Sequence, residues 1–485
     1  MTPASQKDLT LDPENWSEFA ALAHRAVDDA VEFLRTVRER PVWQPVPDAV
    51  AKRLSEGPPM NGQSLDRSYA DFSENIMPYP LGNVHPRFWG MVIGSGAPAG
   101  ILADFLASVM NANCPGFDQS ATLVEQSVIG WFRELFGLPD STSGLLVGGA
   151  TMANLLGLLV ARNAKAPYDV RGDGIVGRSR LRLYASTETH SWLKKACNVL
   201  GLGERAIRSI PVDQRQRIDL AALRRAVHED RHQGHVPFFV NGNAGTVNTG
   251  ATDDLESLAD FCGDEKLWFH VDGAFGALAA LAPRAKAQIA GMERADSVAF
   301  DLHKWGYLPY GIACVLVRDG DAHRAALQNP APYLTVGGGM TSKSPLHFSD
   351  LGIELSRGFI ALKAWMAFKT YGFERVGEMI QQNVDQAAYL ARIVEESPEL
   401  ELLAPAPLNV VCFRYVAPYG MNPDAFNAAL ISAVQHSGDA VFTGTRFDGK
   451  FGIRAAITNH RTTFQDIDIA VAALLREGRL RARAA

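Results

Sequence analysis

Apolar side chains recur at helical spacing near the start of the chain and predict a helix over residues 15–40. Pro41 ends this pattern because proline interrupts a helix, and five prolines between residues 41 and 59 predict an extended connector. A helix with one apolar face can pack on its own subunit or on a partner, and the sequence leaves both arrangements open. The recurring positions, three or four residues apart, are Phe19, Leu22, Ala23, Ala26, Ala30, Phe33, Leu34 and Val37.

Between about residues 98 and 318 the pattern alternates between helical and strand-like segments. Helical spacing predicts helices over 98–111, 120–136, 152–164 and 220–231. Short apolar runs predict strands over 144–147, 182–185, 238–241, 267–271, 297–300 and 312–317. This alternation is typical of an α/β fold with a mostly parallel sheet covered on both faces. In such a sheet the chemistry collects at the carboxyl ends of the strands.

The pattern changes after this region. Residues 330–349 are rich in Pro, Gly, Ser and Thr, and a loop of this length is usually a lid or a link. Helices are predicted over 357–371 and 373–396. Strands over 409–415 and 450–457, together with two helices, predict a smaller α+β domain. The resulting division is an N-terminal helical segment with its connector (1–83), a large domain (84–372) and a small C-terminal domain (373–485).

Composition and charge exclude several classes of protein. The chain has 485 residues, is 47% hydrophobic and carries a net charge of −6, which argues against nucleic acid or an anionic membrane as a partner. No apolar run reaches the roughly 18 residues of a membrane helix, and the N-terminus lacks a signal core. The five cysteines form no C-x-x-C pair, so neither a metal site nor a disulfide framework is expected. A cytoplasmic protein is the expectation.

The candidate chemistry starts from Lys304 and Asp272. A lone lysine is usually a surface charge, but Lys304 follows an apolar run and stands between His303 and Trp305. A partly desolvated amine in such a pocket can attack an aldehyde. Asp272 ends a predicted strand and is followed by small residues, including Ala274, that leave room for a flat ring. Pyridoxal 5′-phosphate (PLP) chemistry needs at least an amine that condenses with the aldehyde and an acid that keeps the pyridine nitrogen protonated.

Three further places supply possible cofactor contacts. The turn of Gly149, Ala150 and Thr151 lies between a predicted strand and helix, where free N–H groups and the helix dipole bind phosphate. A tight turn with a helix cap is the alternative. His190 and Thr246 each follow the end of a predicted strand. An imidazole there can stack on a ring and a hydroxyl can bond its edge, although a lone histidine is more often structural.

Taken together, these residues resemble the group II PLP-dependent decarboxylases, the aromatic-L-amino-acid decarboxylase family. The resemblance covers about residues 80–372, and more weakly the rest, and implies the type I (aspartate aminotransferase-like) fold. The family's His-Lys-Trp corresponds to 303–305, which implies that Lys304 holds PLP and that His303 lies beside its phosphate. The family's His-Val-Asp-Ala corresponds to 270–273, which implies Asp272 on the ring nitrogen and Ala274 against the ring. The same resemblance implies His190 as the stacking histidine and Thr246 as a cofactor contact.

The resemblance also implies the substrate contacts. The family's His-Pro-x-Phe near the substrate entrance corresponds to 85–88, so His85 and Phe88 are candidates. Met91 and Val92 stand where an aromatic cluster often lines the pocket. Ser356 resembles a position at which some plant relatives carry serine for phenolic and glycine for indolic substrates.

A tyrosine on the predicted lid completes the implied catalytic set. Tyr333 matches the family's lid tyrosine, which protonates the substrate carbon after CO2 leaves. Phenylalanine at this position goes with oxidative deamination to an aldehyde. The family's lid closes over the neighbouring subunit's site, which implies a homodimer.

Two positions depart from the family. Gly149 stands in place of a serine in the phosphate turn, so the Ala150 N–H and Thr151 are expected to carry that contact. Asp301 replaces a common asparagine. Because a carboxylate repels phosphate, Asp301 is expected to point away from it.

The predicted function is PLP-dependent decarboxylation of an L-amino acid, above all an aromatic one, to an amine and CO2. An acidic or aliphatic substrate, such as glutamate or diaminobutyrate, is the first alternative and is motivated by Met91, Val92 and Ile93. Aromatic aldehyde synthesis is a second alternative, opposed by Tyr333. A catalytically silent scaffold is a third, opposed by the retained lysine, acid and histidine.

Overall fold

The computed structural model describes residues 9–329 and 347–483. The chain begins with α1 (Trp16–Arg35), α2 (Asp48–Leu54) and α3 (Leu65–Asn75). Asn15 caps α1 by accepting hydrogen bonds from Ser17 and Glu18. The first helix is therefore shorter than predicted: it ends at Arg35, and a 3-10 turn over Val37–Glu39 follows.

A seven-stranded sheet forms the centre of the large domain. Its strands, in chain order, are β1 (Ser143–Val147), β2 (Leu181–Ser186), β3 (Ile207–Ile210), β4 (Val236–Asn243), β5 (Trp268–Asp272), β6 (Ser297–Asp301) and β7 (Ala313–Val317). The spatial order is β1-β7-β6-β5-β4-β2-β3, and β7 runs antiparallel to both of its neighbours. The other pairings are parallel. Because both faces of the sheet are covered, β5, β6 and β7 are continuous buried runs.

The helices of the large domain pack on the sheet or on one another. They are α4 (Pro98–Met110), α5 (Ser120–Leu135), α6 (Ala150–Lys165), α7 (Val170–Asp173), α8 (Trp192–Val199), α9 (Leu220–His232), α10 (Leu255–Glu265), α11 (Gly320–Leu327) and α12 (Ala361–Tyr371). A buried ion pair between Glu125 and Arg357 ties α5 to the segment before α12, and both side chains also bond Leu146 of β1.

A second, smaller core lies at the C-terminal end. The long helix α13 (Phe373–Glu396) leads into a four-stranded antiparallel sheet, β10-β11-β9-β8, with two helices. The remaining elements are β8 (Leu400–Leu402), β9 (Val410–Tyr415), α14 (Pro423–Ser437), β10 (Thr443–Phe447), β11 (Lys450–Ala456) and α15 (Phe464–Arg483). The α/β class with a mostly parallel sheet and a smaller C-terminal α+β part is confirmed.

The sheet places the ends of its parallel strands along one edge. β1 leads into the turn at Gly149, β2 into the segment with His190, and β4 into the segment with Thr246. β5 ends at Asp272, and β6 ends three residues before Lys304. Residues far apart in sequence therefore meet at the carboxyl edge of the sheet, as the α/β pattern predicts.

Candidate active site

A cavity of about 400 Å³ opens at this edge of the sheet. It joins the turn at the start of α6, the ends of β5 and β6, the segment before α4 and strand β11 of the small domain. Its walls are formed by Met91, Val92, Ile93, Gly149, Ala150, Thr151, Asn154, His190, Trp192, Val247, Asp272, Ala274, Phe275, Asp301, His303, Lys304 and Arg454. Ten of the residues predicted for cofactor, catalysis or substrate are among them.

Lys304 reaches into the cavity from the turn after β6. Its Nζ lies 2.9 Å from Oδ2 of Asp301, and its side chain is 22% exposed. The other oxygen of Asp301 accepts a hydrogen bond of 2.6 Å from the backbone N–H of Ala150, the first residue of α6. The expectation that Asp301 points away from the phosphate turn is therefore wrong. The helix N-terminus and the lysine both attract its carboxylate.

Asp272 is fixed by two donors. Its Oδ2 accepts from the indole Nε1–H of Trp192 at 2.6 Å, and its Oδ1 accepts from the N–H of Ala274 at 3.1 Å. The carboxylate is almost fully buried at the end of β5. A charged acceptor with two protein donors keeps one orientation toward the cavity.

Two histidines flank the lysine and the acid. His190 lies on the open side of the cavity, where its Nδ1 accepts from the N–H of Trp192. Partial burial lowers the pKa of His190, and the Asp272 carboxylate opposes this shift. Nδ1 of His303 donates to the carbonyl of Ile312, so the ring is held beside the lysine turn. Burial likewise lowers the pKa of His303, against the attraction of Asp301.

The segment of Met91, Val92 and Ile93 forms the apolar wall of the cavity. Met91 has a backbone φ of 52°, an unfavourable value for a residue with a side chain, and Thr443 accepts its N–H. Gly94 follows, where the chain presses against the lysine turn: a Cβ there would lie 2.0 Å from the carbonyl oxygen of His303. The wall is thereby held against the turn that carries Lys304.

Several predicted residues lie elsewhere. Thr246 is buried beside the cavity, with its hydroxyl 3.1 Å from that of Thr249. Phe88 packs with Val42 and Val441, because the chain here pairs with the small domain. His85 is buried at the same junction. The structure thus does not bring His85 and Phe88 into the cavity lining.

The two remaining predictions concern the segment after β7. Ser356 is exposed and also lies outside the lining of this cavity. Tyr333 lies outside the described residues. The roles of both residues stay predictions.

The polar residues of the cavity that sequence reasoning missed include Trp192 and Arg454. Arg454 comes from β11 of the small domain and is 6% exposed. Its Nη1 donates to the carbonyl of Val247 and its Nη2 lies 3.4 Å from the hydroxyl of Thr443. Its Nε has no hydrogen-bond partner within the described ranges. No local pattern marks either residue, because each reaches the site through the fold.

The donor set fits PLP. An amine, a fixed carboxylate and small residues at Gly149 and Ala274 line one cavity. The carboxylate of Asp301 on the Ala150 N–H also shows that the start of α6 accepts an oxyanion. These are the groups that the cofactor's aldehyde, ring nitrogen, ring face and phosphate need.

Comparison with known proteins agrees with this geometry. The family model for the pyridoxal-dependent decarboxylase conserved domain matches residues 47–416. The chain belongs to the pyridoxal-dependent decarboxylase family. The protein is therefore a PLP-dependent amino-acid decarboxylase with a type I fold, as predicted from the sequence.

Relatives of this decarboxylase include an aromatic-L-amino-acid decarboxylase from Bacillus atrophaeus, 33% identical over 93% of both chains. A phenylacetaldehyde synthase from Petunia hybrida is 28% identical over 95% of this chain and 93% of its own. Among solved structures, Oryza sativa TDC with PLP and tryptamine superposes with a TM-score of 0.89 at 26% identity, covering 98% of this chain and 100% of that one.

Two further features bear on metals and membranes. In the part of the decarboxylase that the structure describes, no three His, Cys, Asp or Glu side chains are grouped to hold a metal ion. No helix within residues 9–329 and 347–483 has the length and apolar character needed to cross a bilayer.

Proposed function

We propose that this decarboxylase converts an aromatic L-amino acid into the corresponding amine and CO2. The observation that carries the proposal is one cavity in which Lys304 and Asp272 face an apolar wall and the buried cation Arg454. The aromatic-L-amino-acid decarboxylase from Bacillus atrophaeus and the rice enzyme with tryptamine support it.

The residues would divide the work of holding the cofactor. Lys304 would hold PLP covalently, Asp272 would keep a proton on the ring nitrogen, and Ala274 would lie against the ring. His190 would stack on the ring and Thr246 would bond near its edge. The phosphate would be bound by Gly149, Ala150 and Thr151 at the start of α6, with His303 beside them. When bound, PLP supplies the electron sink for the bond between Cα and the carboxylate.

Arg454 would bind the substrate's carboxylate. Burial lowers the pKa of Arg454, yet a guanidinium stays protonated in proteins, so a desolvated cation faces the cavity. The carboxylate of the substrate would supply a negatively charged partner for this guanidinium. Met91, Val92 and Ile93 would receive the substrate side chain. An acidic side chain placed there would lose its hydration without a partner, whereas an aromatic ring would gain apolar contact.

Tyr333 would return a proton to the substrate carbon after CO2 leaves. Its assignment rests on the family resemblance and on its spacing from Lys304. A tyrosine at this position favours amine over aldehyde as the product.

We also propose that the chain functions as a homodimer in the cytoplasm. α4 packs one side on α12 and exposes large apolar side chains on the other, which are Ile101, Leu102, Phe105, Leu106, Val109 and Met110. Contiguous exposed apolar surface of this kind marks interaction sites. α4 begins just after the wall segment of the cavity, so a second copy seated there would border the site and bring its lid and Ser356 near it. All five cysteines are free and buried, which suits a reducing compartment.

The test is a substrate panel with product identification by mass spectrometry. Tryptophan, tyrosine, phenylalanine, glutamate and diaminobutyrate are each incubated with the enzyme and with Lys304→Ala. We expect amine and CO2 from at least one aromatic amino acid, little product from the acidic one, and background from the variant. If product formed only from glutamate or diaminobutyrate, the hypothesis of an aromatic substrate would be wrong and that of an acidic or aliphatic substrate would replace it. Amine at the variant's level with every substrate would refute the proposal.

Aldehyde synthesis is the second candidate because a phenylacetaldehyde synthase is among the relatives. It would consume one O2 and release one hydrogen peroxide and one ammonia for each aldehyde formed, so both products are measured in the same reactions. We expect amine without peroxide from the wild type. Tyr333→Phe is expected to shift the product ratio from amine toward aldehyde.

A further inference from the structure

Asp301 lies at the start of α6, beside the proposed phosphate cradle of Gly149, Ala150 and Thr151. Its Oδ1 lies 2.6 Å from the Ala150 N–H, and a Cβ on Gly149 would lie 4.0 Å from the same oxygen. Its Oδ2 lies 2.9 Å from Nζ of Lys304. The carboxylate thus uses two groups that PLP also needs, a cradle N–H and the lysine amine.

The backbone of Asp301 is fixed in this place. Its N–H donates to the carbonyl of Ala274, and its position in β6 is paired with Ala313 of β7. The side chain is 3% exposed. Because the strand cannot shift, the carboxylate stays within reach of the cradle whether or not a second anion enters.

A phosphate group in the same cradle brings a charge of about −1.5 to −2 next to this carboxylate. The nearby imidazole of His303 has its Nε2 3.6 Å from Oδ1, and burial lowers its pKa, so it gives little positive charge to offset the repulsion. Two anions in a buried pocket repel each other strongly.

The geometry points to Asp301 as a built-in competitor of the cofactor phosphate. It accepts from the Ala150 N–H, and its other oxygen lies against Nζ of Lys304. On binding, PLP must displace it from both. Asp301 therefore weakens phosphate binding specifically and sets how readily the enzyme exchanges its cofactor. This inference rests on the proposed function of the same site.

The experiment compares PLP with pyridoxal, which has the same ring and aldehyde but no phosphate. Cofactor-free wild type, Asp301→Asn and Glu188→Gln are titrated with each compound, and the dissociation constants are read from the visible absorbance. Glu188→Gln is the matched control: it removes the same charge near the same sheet edge, while its amide can still accept from Asn248.

We expect Asp301→Asn to bind PLP at least roughly tenfold more tightly than wild type, about 1.4 kcal/mol, with little change for pyridoxal. Inorganic phosphate should also compete with PLP more strongly in this variant. Without cofactor, the variant should melt at a lower temperature than wild type, because it loses a charge-assisted bond at α6. Glu188→Gln should match wild type in all three measurements.

Equal PLP affinity in wild type and Asp301→Asn would overturn the inference, as would an equal gain for PLP and pyridoxal. In both cases the proposed function would stand. Failure of wild type and variant alike to bind PLP would overturn both. If Asp301→Asn does not fold, Asp301→Ser, whose hydroxyl can still cap α6, takes its place with the same expectations.

Discussion

At the scale of single residues, the orientation of Asp272 depends on Trp192. The indole N–H donates to Oδ2 of the buried carboxylate at 2.6 Å, while the N–H of Ala274 donates to Oδ1. Trp192 itself makes no covalent contribution. It is a positioning residue, and its effect should be visible wherever the protonation of the cofactor ring is measured.

Trp192→Phe should lower the free energy of unfolding by about 1.5–3 kcal/mol, the range for a hydrogen bond to a charged group. It should also shift the pH dependence of the cofactor's absorbance, because Asp272 can then rotate. Trp268→Phe is the control, since Trp268 bonds the neutral hydroxyl of Ser297 at 2.8 Å. That variant should lose stability without the spectral shift, and identical spectra for both variants would contradict the role of Trp192.

Arg454→Met should raise KM for the amino acid roughly 10- to 100-fold, as expected for loss of a hydrogen-bonded charge. The turnover number should change less, since the cofactor contacts are untouched. Arg454→Lys keeps the charge and should recover part of the loss in steady-state kinetics. A fall in turnover at constant KM would show that Arg454 does not bind substrate.

Trp192 and Arg454 also show which kind of site residue cannot be predicted from the sequence. Lys304, His303 and Asp272 are visible because their signal is local, a polar residue just after an apolar run. Trp192 meets Asp272 across 80 residues, and Arg454 meets Val247 across 207. No rule of sequence spacing predicts contacts between residues so far apart in the chain. The prediction for Asp301 is wrong because it includes the repulsion by phosphate but not the attraction of the carboxylate to the lysine and the helix end.

At the scale of elements, α6 begins at Ala150 and so places this N–H at the wall of the cavity. The helix lies very close to β5, and Gly157 makes this possible. A Cβ on Gly157 would come 2.8 Å from Cε1 of His270, which is itself held by Ser297 and Asn154. The packing of α6 therefore has no room for a methyl group at this position.

Gly157→Ala should destabilise the protein by about 1–3 kcal/mol through overpacking, although alanine favours a helix. Gly130→Ala in α5 is the matched control, because no atom lies within 4 Å of its added Cβ. That change should stabilise by about 0.4–1 kcal/mol. Denaturant unfolding measures the change in free energy of unfolding for each variant. A change of the same sign in both variants would contradict the packing argument.

In the large domain, apolar periodicity predicted six of the seven strands and missed β3. That strand is short and only partly buried, so it has no continuous apolar run. The apolar pattern also does not predict that β7 runs antiparallel to its neighbours. A buried strand reads the same in either direction, and the short connection from β6 through the lysine turn decides its course.

At the scale of the whole molecule, several neutral imidazoles are buried on folding. Burial lowers the pKa of His85 and His323 to about 4 and of His270 and His460 to about 3. The unfolded chain binds protons at these residues from about pH 6.5 downward, while the folded protein does not. Stability should therefore be fully present above pH 6.5 and fall toward pH 4.

Each of these histidines should lower the free energy of unfolding by about 1.4 kcal/mol for every pH unit below about 6.5. Urea unfolding between pH 7 and pH 4 measures the slope. His323→Gln removes one imidazole that bonds Ser143 and Leu351, and it should give a shallower slope even if its stability at pH 7 is lower. An unchanged slope would contradict the assignment.

The proposed dimer can be tested on α4. Phe105 is 55% exposed, so Phe105→Lys should leave the folded chain intact but place a charge in the interface. Sedimentation should show a dimer for wild type and a monomer for the variant. Val176→Lys, an exposed apolar residue outside this face, should stay dimeric. A monomeric wild type would contradict the dimer.

Gly94 has a consequence for changing what the enzyme accepts. Since nothing larger than hydrogen fits between this residue and the carbonyl of His303, the path of the neighbouring chain is set by glycine rather than by the side chains of residues 91–93. Positions 92 and 93 can be randomised together in a directed-evolution library while the main chain keeps its course, whereas position 91, with its φ of 52°, accepts few other side chains. Amine production could then be redirected to new feedstocks, provided that position 94 is left alone.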